Sequence, residues 1–116
     1  MMRFGCQDMV TQVRRILLKH PKDAFIDQSK IDRQSSELNY STTPDFDISC
    51  KDYDNFLNII KSFEPEIHFL PASDTSLDSI YTHDPCVVSN NGIILCNMGK
   101  KARLPETNHI EKFFKS

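Results

Sequence analysis

A chain of 116 residues with 39% hydrophobic content has room for one modest domain with a limited core, because small domains bury a smaller share of their surface. Its formal net charge of -2 and its dispersed lysines and arginines provide no concentrated basic face for nucleic acid or an anionic membrane surface. No apolar run approaches the roughly 20 residues of a membrane-crossing helix, and the N-terminus lacks the apolar stretch of a signal peptide, so a cytoplasmic protein is the default expectation.

In chain order, the apolar run from Val13 to Lys19, bounded by Pro21, predicts a short buried strand rather than a long helix. From Asp27 to Asp47 the chain turns polar and loses periodicity. Residues 27–48 are therefore expected as a loop, either surface irregularity with some disorder or a lid over a ligand. Ser49, with Asp52 three residues on, suits a helix N-cap, and Tyr53, Phe56, Leu57 and Ile60 repeat at helical spacing until Pro65. Ile67 to Leu70 predicts a second short strand, followed by a polar connection over Ser73–Ser76. Cys86-Val87-Val88 and Ile93-Ile94-Leu95 flank Asn90-Asn91-Gly92, where Asn91-Gly92 suits the positive φ angles of a tight hairpin turn. Near the end, Ile110, Phe113 and Phe114 share one helical face. Strand, helix, strand and hairpin make a mixed α/β unit without visible internal repeats.

The four cysteines, Cys6, Cys50, Cys86 and Cys96, are not clustered, and without a secretory signal free thiols are expected. A Cys86–Cys96 pairing across the hairpin stays open. His83, Asp84 and Cys86 could be drawn as a nucleophile site. Alternate residues of one extended segment face apart, however, which argues against convergence on one reacting atom. His68, His83, Cys86, Cys96 and His109 do not stand at zinc-binding spacing, which argues against a metal site.

The stretch from Leu70 to Glu106 gathers the side chains with the most chemical potential. Asp78 and Asp84 could hold a planar cationic group through charge-assisted hydrogen bonds, and Arg103 could grip a carboxylate bidentately where Lys100 and Lys101 would act only as point charges. Tyr81 could line such a pocket, and His83 could donate a hydrogen bond or satisfy a neighbouring carboxylate. Plainer roles remain open: Asp78 as a turn cap, Asp84 as a strand boundary, Tyr81 as core, and Lys100-Lys101 as a solvated basic turn. Together, Asp78, Tyr81, His83, Asp84 and Arg103 would suit a ligand with a cationic and an anionic end, such as an amino acid.

The same stretch resembles the guanidine-modifying enzymes of the pentein superfamily, which includes dimethylarginine dimethylaminohydrolases, arginine deiminases and amidinotransferases. Leu70-Pro71-Ala72 followed by Asp78-Ser79-Ile80-Tyr81 resembles the D-S-V-F element of the dimethylarginine hydrolases. Tyr81-Thr82-His83-Asp84-Pro85 resembles the F-T-R-D-P of arginine deiminases, and Met98-Gly99, Arg103 and Glu106 resemble the glycine, arginine and glutamate after the hairpin. Arg15-Ile16-Leu17-Leu18-Lys19-His20-Pro21 with Ala24-Phe25 resembles the superfamily's first strand. His83 departs from the pattern, since glutamate or arginine stands there in the two families.

The resemblance implies the N-terminal part of a five-fold β/α propeller, residues 1–116, with the nucleophilic cysteine and its partner histidine outside this chain. It assigns Asp84 to a guanidino group and Asp78 to the ligand's α-amino end, and it favours a lid over 27–48. The implied chemistry is thiolate attack on the guanidino carbon of arginine or a derivative, ending in hydrolysis, deimination or amidino transfer, with no organic cofactor or metal implied. The chain by itself would be inactive, completed by the remainder of the domain or by copies of itself. The competing reading is a noncatalytic module that binds an arginine-like ligand or serves assembly.

Overall fold

The computed structural model describes residues 8–116. Cys6 lies outside them. β1 (Arg15–Leu18) and β2 (Glu66–Phe69) run parallel, in a register that sets Arg15 opposite Glu66 and Leu18 opposite Phe69. An Arg15 Nε to Glu66 Oε2 contact of 3.1 Å locks the first pair. A parallel pair cannot be joined by a tight turn and needs a long crossover. Here the crossover carries three helices, α1 (Pro21–Ala24), α2 (Gln28–Glu37) and α3 (Phe46–Lys61).

α2 corrects the expectation of a loop across residues 27–48. Asp27 caps it by accepting the Lys30 N–H at 2.8 Å. Ile31, Ser35 and Leu38 fall on one buried face, but only two of the three are apolar, which is why the period is faint in the sequence. Long-range bonds complete the helix. Gln28 donates to the Pro44 carbonyl at 2.9 Å and accepts the Phe46 N–H at 2.7 Å, fastening the start of α2 to the start of α3.

At its other end α2 closes in a Schellman motif. Asn39 takes a left-handed φ of 63°, its N–H bonds to Ser36 O at 3.1 Å, and the Tyr40 N–H reaches back to Ser35 O at 2.8 Å. Ile26, between α1 and α2, has φ 68°, costly for a β-branched residue by about 1–2 kcal/mol.

α3 starts earlier than expected. Asp45, not Ser49, is its N-cap, accepting the Ile48 N–H at 2.9 Å. Of the expected face, Leu57 is buried, Tyr53 and Ile60 are half-buried, and Phe56 is exposed. β3 (Cys86–Ser89) and β4 (Gly92–Leu95) form the predicted hairpin, with Cys86 opposite Leu95 and Ser89 opposite Gly92. The tight turn is Asn90-Asn91, one residue earlier than predicted, and Gly92 takes φ 144° as the first residue of β4. Ser89 Oγ accepts from Asn91 N at 3.3 Å and donates to Gly92 O at 2.9 Å, so one hydroxyl spans the turn. α4 (Glu106–Lys115) buries Ile110 and half-buries Phe113 and Phe114.

The principal apolar cluster is Ala24, Phe25, Ile31, Leu38 and Leu77, with Tyr40, Phe46 and Ile80 packed against it. It lies between α1, α2 and a single 3-10 turn at Leu77–Ile80, and the segment expected as a loop supplies Ile31 and Leu38. The architecture is mixed α/β with two separate two-stranded sheets. Among the described residues no helix is long and apolar enough to cross a membrane.

Ile31 is wholly inaccessible to solvent. Ile31→Ala should therefore cost about 2–5 kcal/mol of stability, read as a lower urea midpoint at an unchanged denaturant slope.

Candidate functional site

The 3-10 turn at Leu77–Ile80 buries Leu77, Asp78 and Ser79 in succession. A buried carboxylate is tolerable only when its oxygens are satisfied. Asp78 meets this by accepting the Tyr40 hydroxyl on Oδ1 at 2.9 Å and Lys100 Nζ on Oδ2 at 2.7 Å, with its side chain 7% exposed. Lys100 Nζ also donates to the Leu38 carbonyl at 2.9 Å, at the end of α2. Lys100 is therefore no solvated turn lysine but a strut between Asp78 and α2. Burial pushes the Tyr40 hydroxyl pKa well above its ordinary value, and its hydrogen bond to Asp78 adds to the effect.

A second charged group is built around Arg103, which ends the 3-10 turn Lys101–Arg103 just before α4. Its guanidinium faces Glu106 side-on, Nε to Oε2 and NH2 to Oε1, both at 2.8 Å. The outer nitrogens reach Asp84 Oδ2 at 2.6 Å and the Tyr81 carbonyl at 3.1 Å. The guanidinium carbon stands 6.0 Å from the Tyr81 ring centroid, within cation–π range. Glu106 above all, and then Asp84, hold the Arg103 pKa higher still than that of a free guanidinium, against the opposing effect of burial.

The five residues singled out in the sequence thus divide into two sets. Asp78 and Arg103 are buried and bound to protein partners, so neither presents a free charged group to a ligand in this conformation. Asp84, Tyr81 and His83 are exposed beside them. Asp84 uses Oδ2 on Arg103, while Oδ1 has no hydrogen-bond partner among the described residues, and the side chain is 47% exposed. Tyr81 is 55% exposed, which sets aside the core alternative. His83 has no hydrogen bond or ion pair among the described residues, so it does not satisfy a neighbouring carboxylate.

One guanidinium against the carboxylates of Glu106 and Asp84 leaves this group with an excess negative charge, most accessible at Asp84. Such a surface favours a cation, and the exposed Tyr81 ring offers a face for a planar one.

Tyr40 and Lys100 were invisible as site residues in the sequence because each reaches Asp78 across tertiary space. Glu106 carried a local signal, standing three residues after Arg103 at the start of a helix. Elsewhere, His20 accepts the Lys22 N–H on Nδ1 at 3.1 Å and meets Asp54 Oδ1 through Nε2 at 2.8 Å, a capping role that occupies both ring nitrogens. Cys50, Cys86 and Cys96 are free thiols, and the ladder sets Cys86 opposite Leu95 rather than Cys96. Burial pushes the Cys50 and Cys86 thiol pKa values up, away from a reactive thiolate. No group of three or more potential metal ligands occurs among the described residues.

Replacing Arg103 with Met should cost about 3–5 kcal/mol, because it leaves buried Glu106 unpaired, measurable by chemical denaturation. A pH effect follows from Tyr40. Its folded-state pKa is raised, so its hydroxyl contributes fully below about pH 10 and that contribution is lost as pH rises further. Tyr40→Phe should lower stability at neutral pH yet flatten the decline above about pH 10. Lys19 and Lys30, whose pKa values burial pushes down, act in the opposite sense in both proteins, so the difference between the two curves is the informative quantity.

No protein-family model, curated protein or solved structure matches this chain, so its function rests on the chemistry of its own residues.

Proposed function

We propose that this chain is the substrate-binding N-terminal portion of a pentein-type enzyme acting on the guanidino carbon of arginine or an arginine derivative. The observation that carries the reading is Asp84. One oxygen already holds a guanidinium, that of Arg103 at 2.6 Å, and the other is open beside the exposed Tyr81 ring. A ligand guanidinium would dock on Oδ1 and stack on Tyr81, with His83 at the rim in place of the glutamate or arginine of the resembling families. Asp78 and Arg103 would act from beneath as positioning residues, the first anchoring α2 through Tyr40 and the second orienting Asp84. Any direct contact of theirs with a ligand's α-amino or α-carboxylate end would require Lys100 or Glu106 to move.

The chemistry would run through a covalent cysteine intermediate whose nucleophile lies outside this chain. The raised pKa values of Cys50 and Cys86 agree with that division of labour. In the complete protein the parallel pair β1–β2 and the hairpin β3–β4 would belong to a five-fold β/α propeller. Free thiols at Cys50, Cys86 and Cys96 suit a reducing, cytoplasmic setting.

A second reading, a binding or assembly module without chemistry, draws support from exposed Phe56, Ile59 and Phe63 around the end of α3 and Val87 and Ile94 on the hairpin. Such faces suit a further part of the ring or another copy of the chain.

Calorimetric titration with arginine and dimethylarginine tests the binding claim. Asp84→Asn should weaken a guanidino ligand by about 10–100-fold, the worth of a charge-assisted hydrogen bond, and His83→Ala should change affinity far less. Equal affinity of the native protein and the Asp84 variant would sink the role given to Asp84.

A further inference from the structure

Lys19, immediately after β1, is only 2% exposed. Its ammonium donates to Ser73 Oγ at 3.1 Å and Thr75 Oγ1 at 3.2 Å. An ammonium carries three N–H donors, and the third has no acceptor among the described residues. Nor does Lys19 form an ion pair among them. A buried charge without a counterion is unfavourable and is ordinarily paired. Burial and the nearby Lys30 charge both push the Lys19 pKa down, with Glu106 and Asp23 only partly offsetting them.

An independent observation points to the same place. Ser79 Oγ is buried without a hydrogen-bond partner among the described residues, and Ser79 lines a cavity of about 10 Å³, room for about one water, together with Lys19, Thr82 and Glu106. That cavity shares Lys19, Leu70, Ser73 and His109 with a cleft of about 340 Å³, whose walls include Pro71, Phe113 and Lys112. The cleft has the size of a small-molecule site, with mostly apolar walls and a few polar groups among its lining residues.

We propose that this cleft binds a small monocarboxylate with an apolar body, its carboxylate accepting a hydrogen bond from Lys19 Nζ and its body lying against Leu70, Pro71 and Phe113. Lys112 at the wall adds to the attraction for an anion. Glu106 is close enough to interact with Lys19, which disfavours a dianion such as phosphate. The cleft is separate from the exposed group above, since none of Asp78, Tyr81 and Asp84 lines it. It stands whether or not a guanidino ligand binds there.

The test is an NMR titration of the full 116-residue chain with benzoate, against benzyl alcohol and benzylamine as neutral and cationic counterparts and inorganic phosphate as a dianion. Benzoate should give saturable shifts in the Leu70–Thr75 and His109–Phe113 stretches, with the three controls at least about tenfold weaker. Lys19→Met should weaken benzoate by about tenfold or more, and Phe113→Ala, which removes an apolar wall, by about three- to tenfold. Phe113 is only half-buried near the end of α4, so its variant remains informative if Lys19→Met fails to fold. Absence of saturable benzoate shifts, equal binding of benzyl alcohol, stronger binding of phosphate, or unchanged benzoate affinity in either folded variant would overturn the proposal.

Discussion

The candidate site depends on the pairing of Arg103 with Glu106. A guanidinium and a carboxylate withdrawn from water repay their desolvation only when their hydrogen bonds are satisfied in good geometry. Here two parallel 2.8 Å contacts close the pair, and the remaining donors are spent on Asp84 and the Tyr81 carbonyl. One side chain thereby connects the first residue of α4, the backbone after the Leu77–Ile80 turn and the carboxylate with an open oxygen. The value of such a group lies less in net stability than in fixing one arrangement, since any shift would strand a buried charge.

Asp78 performs the corresponding task on the other side of the turn. It draws in Tyr40 and, through Lys100, the last turn of α2. The Schellman motif is what makes this reachable: the left-handed Asn39 reverses the chain so that Tyr40 points back across the end of the helix. The polar crossover thus becomes part of the core and also helps hold the site. With a small apolar cluster, this fold relies on polar side chains such as Gln28, Lys30 and Lys100, which bond to distant backbone carbonyls.

The segment around residues 78–84 serves two faces. Tyr81 and Asp84 belong to the charged group around Arg103 and Asp78 to the one with Tyr40 and Lys100, while Ser79 and Thr82 face the cavity beside Lys19. Glu106 touches both environments, paired with Arg103 and electrostatically coupled to Lys19. Occupancy on one face would therefore be felt by a charge that organises the other. The two faces favour opposite ligand charges: a cation at Asp84, an anion at Lys19.

Local patterning carried the mixed α/β class, both parallel strands, the long helix, the hairpin and the terminal helix, because each has an apolar period or a turn residue that acts within a few positions. It also brought Asp78, Tyr81, His83, Asp84 and Arg103 to notice as chemically capable groups. It missed α2, whose buried face is partly serine and whose fastening runs through Gln28 to residues far along the chain. It misjudged Lys100, since a turn lysine and a lysine clasping a buried carboxylate have the same local sequence. What only the tertiary structure decided was which charges face solvent and which face each other: Asp84 exposed, Arg103 and Asp78 closed, Lys19 buried without an ion-pair partner among the described residues. Burial and counter-charge are properties of neighbours brought together by folding, and no window of adjacent residues contains them.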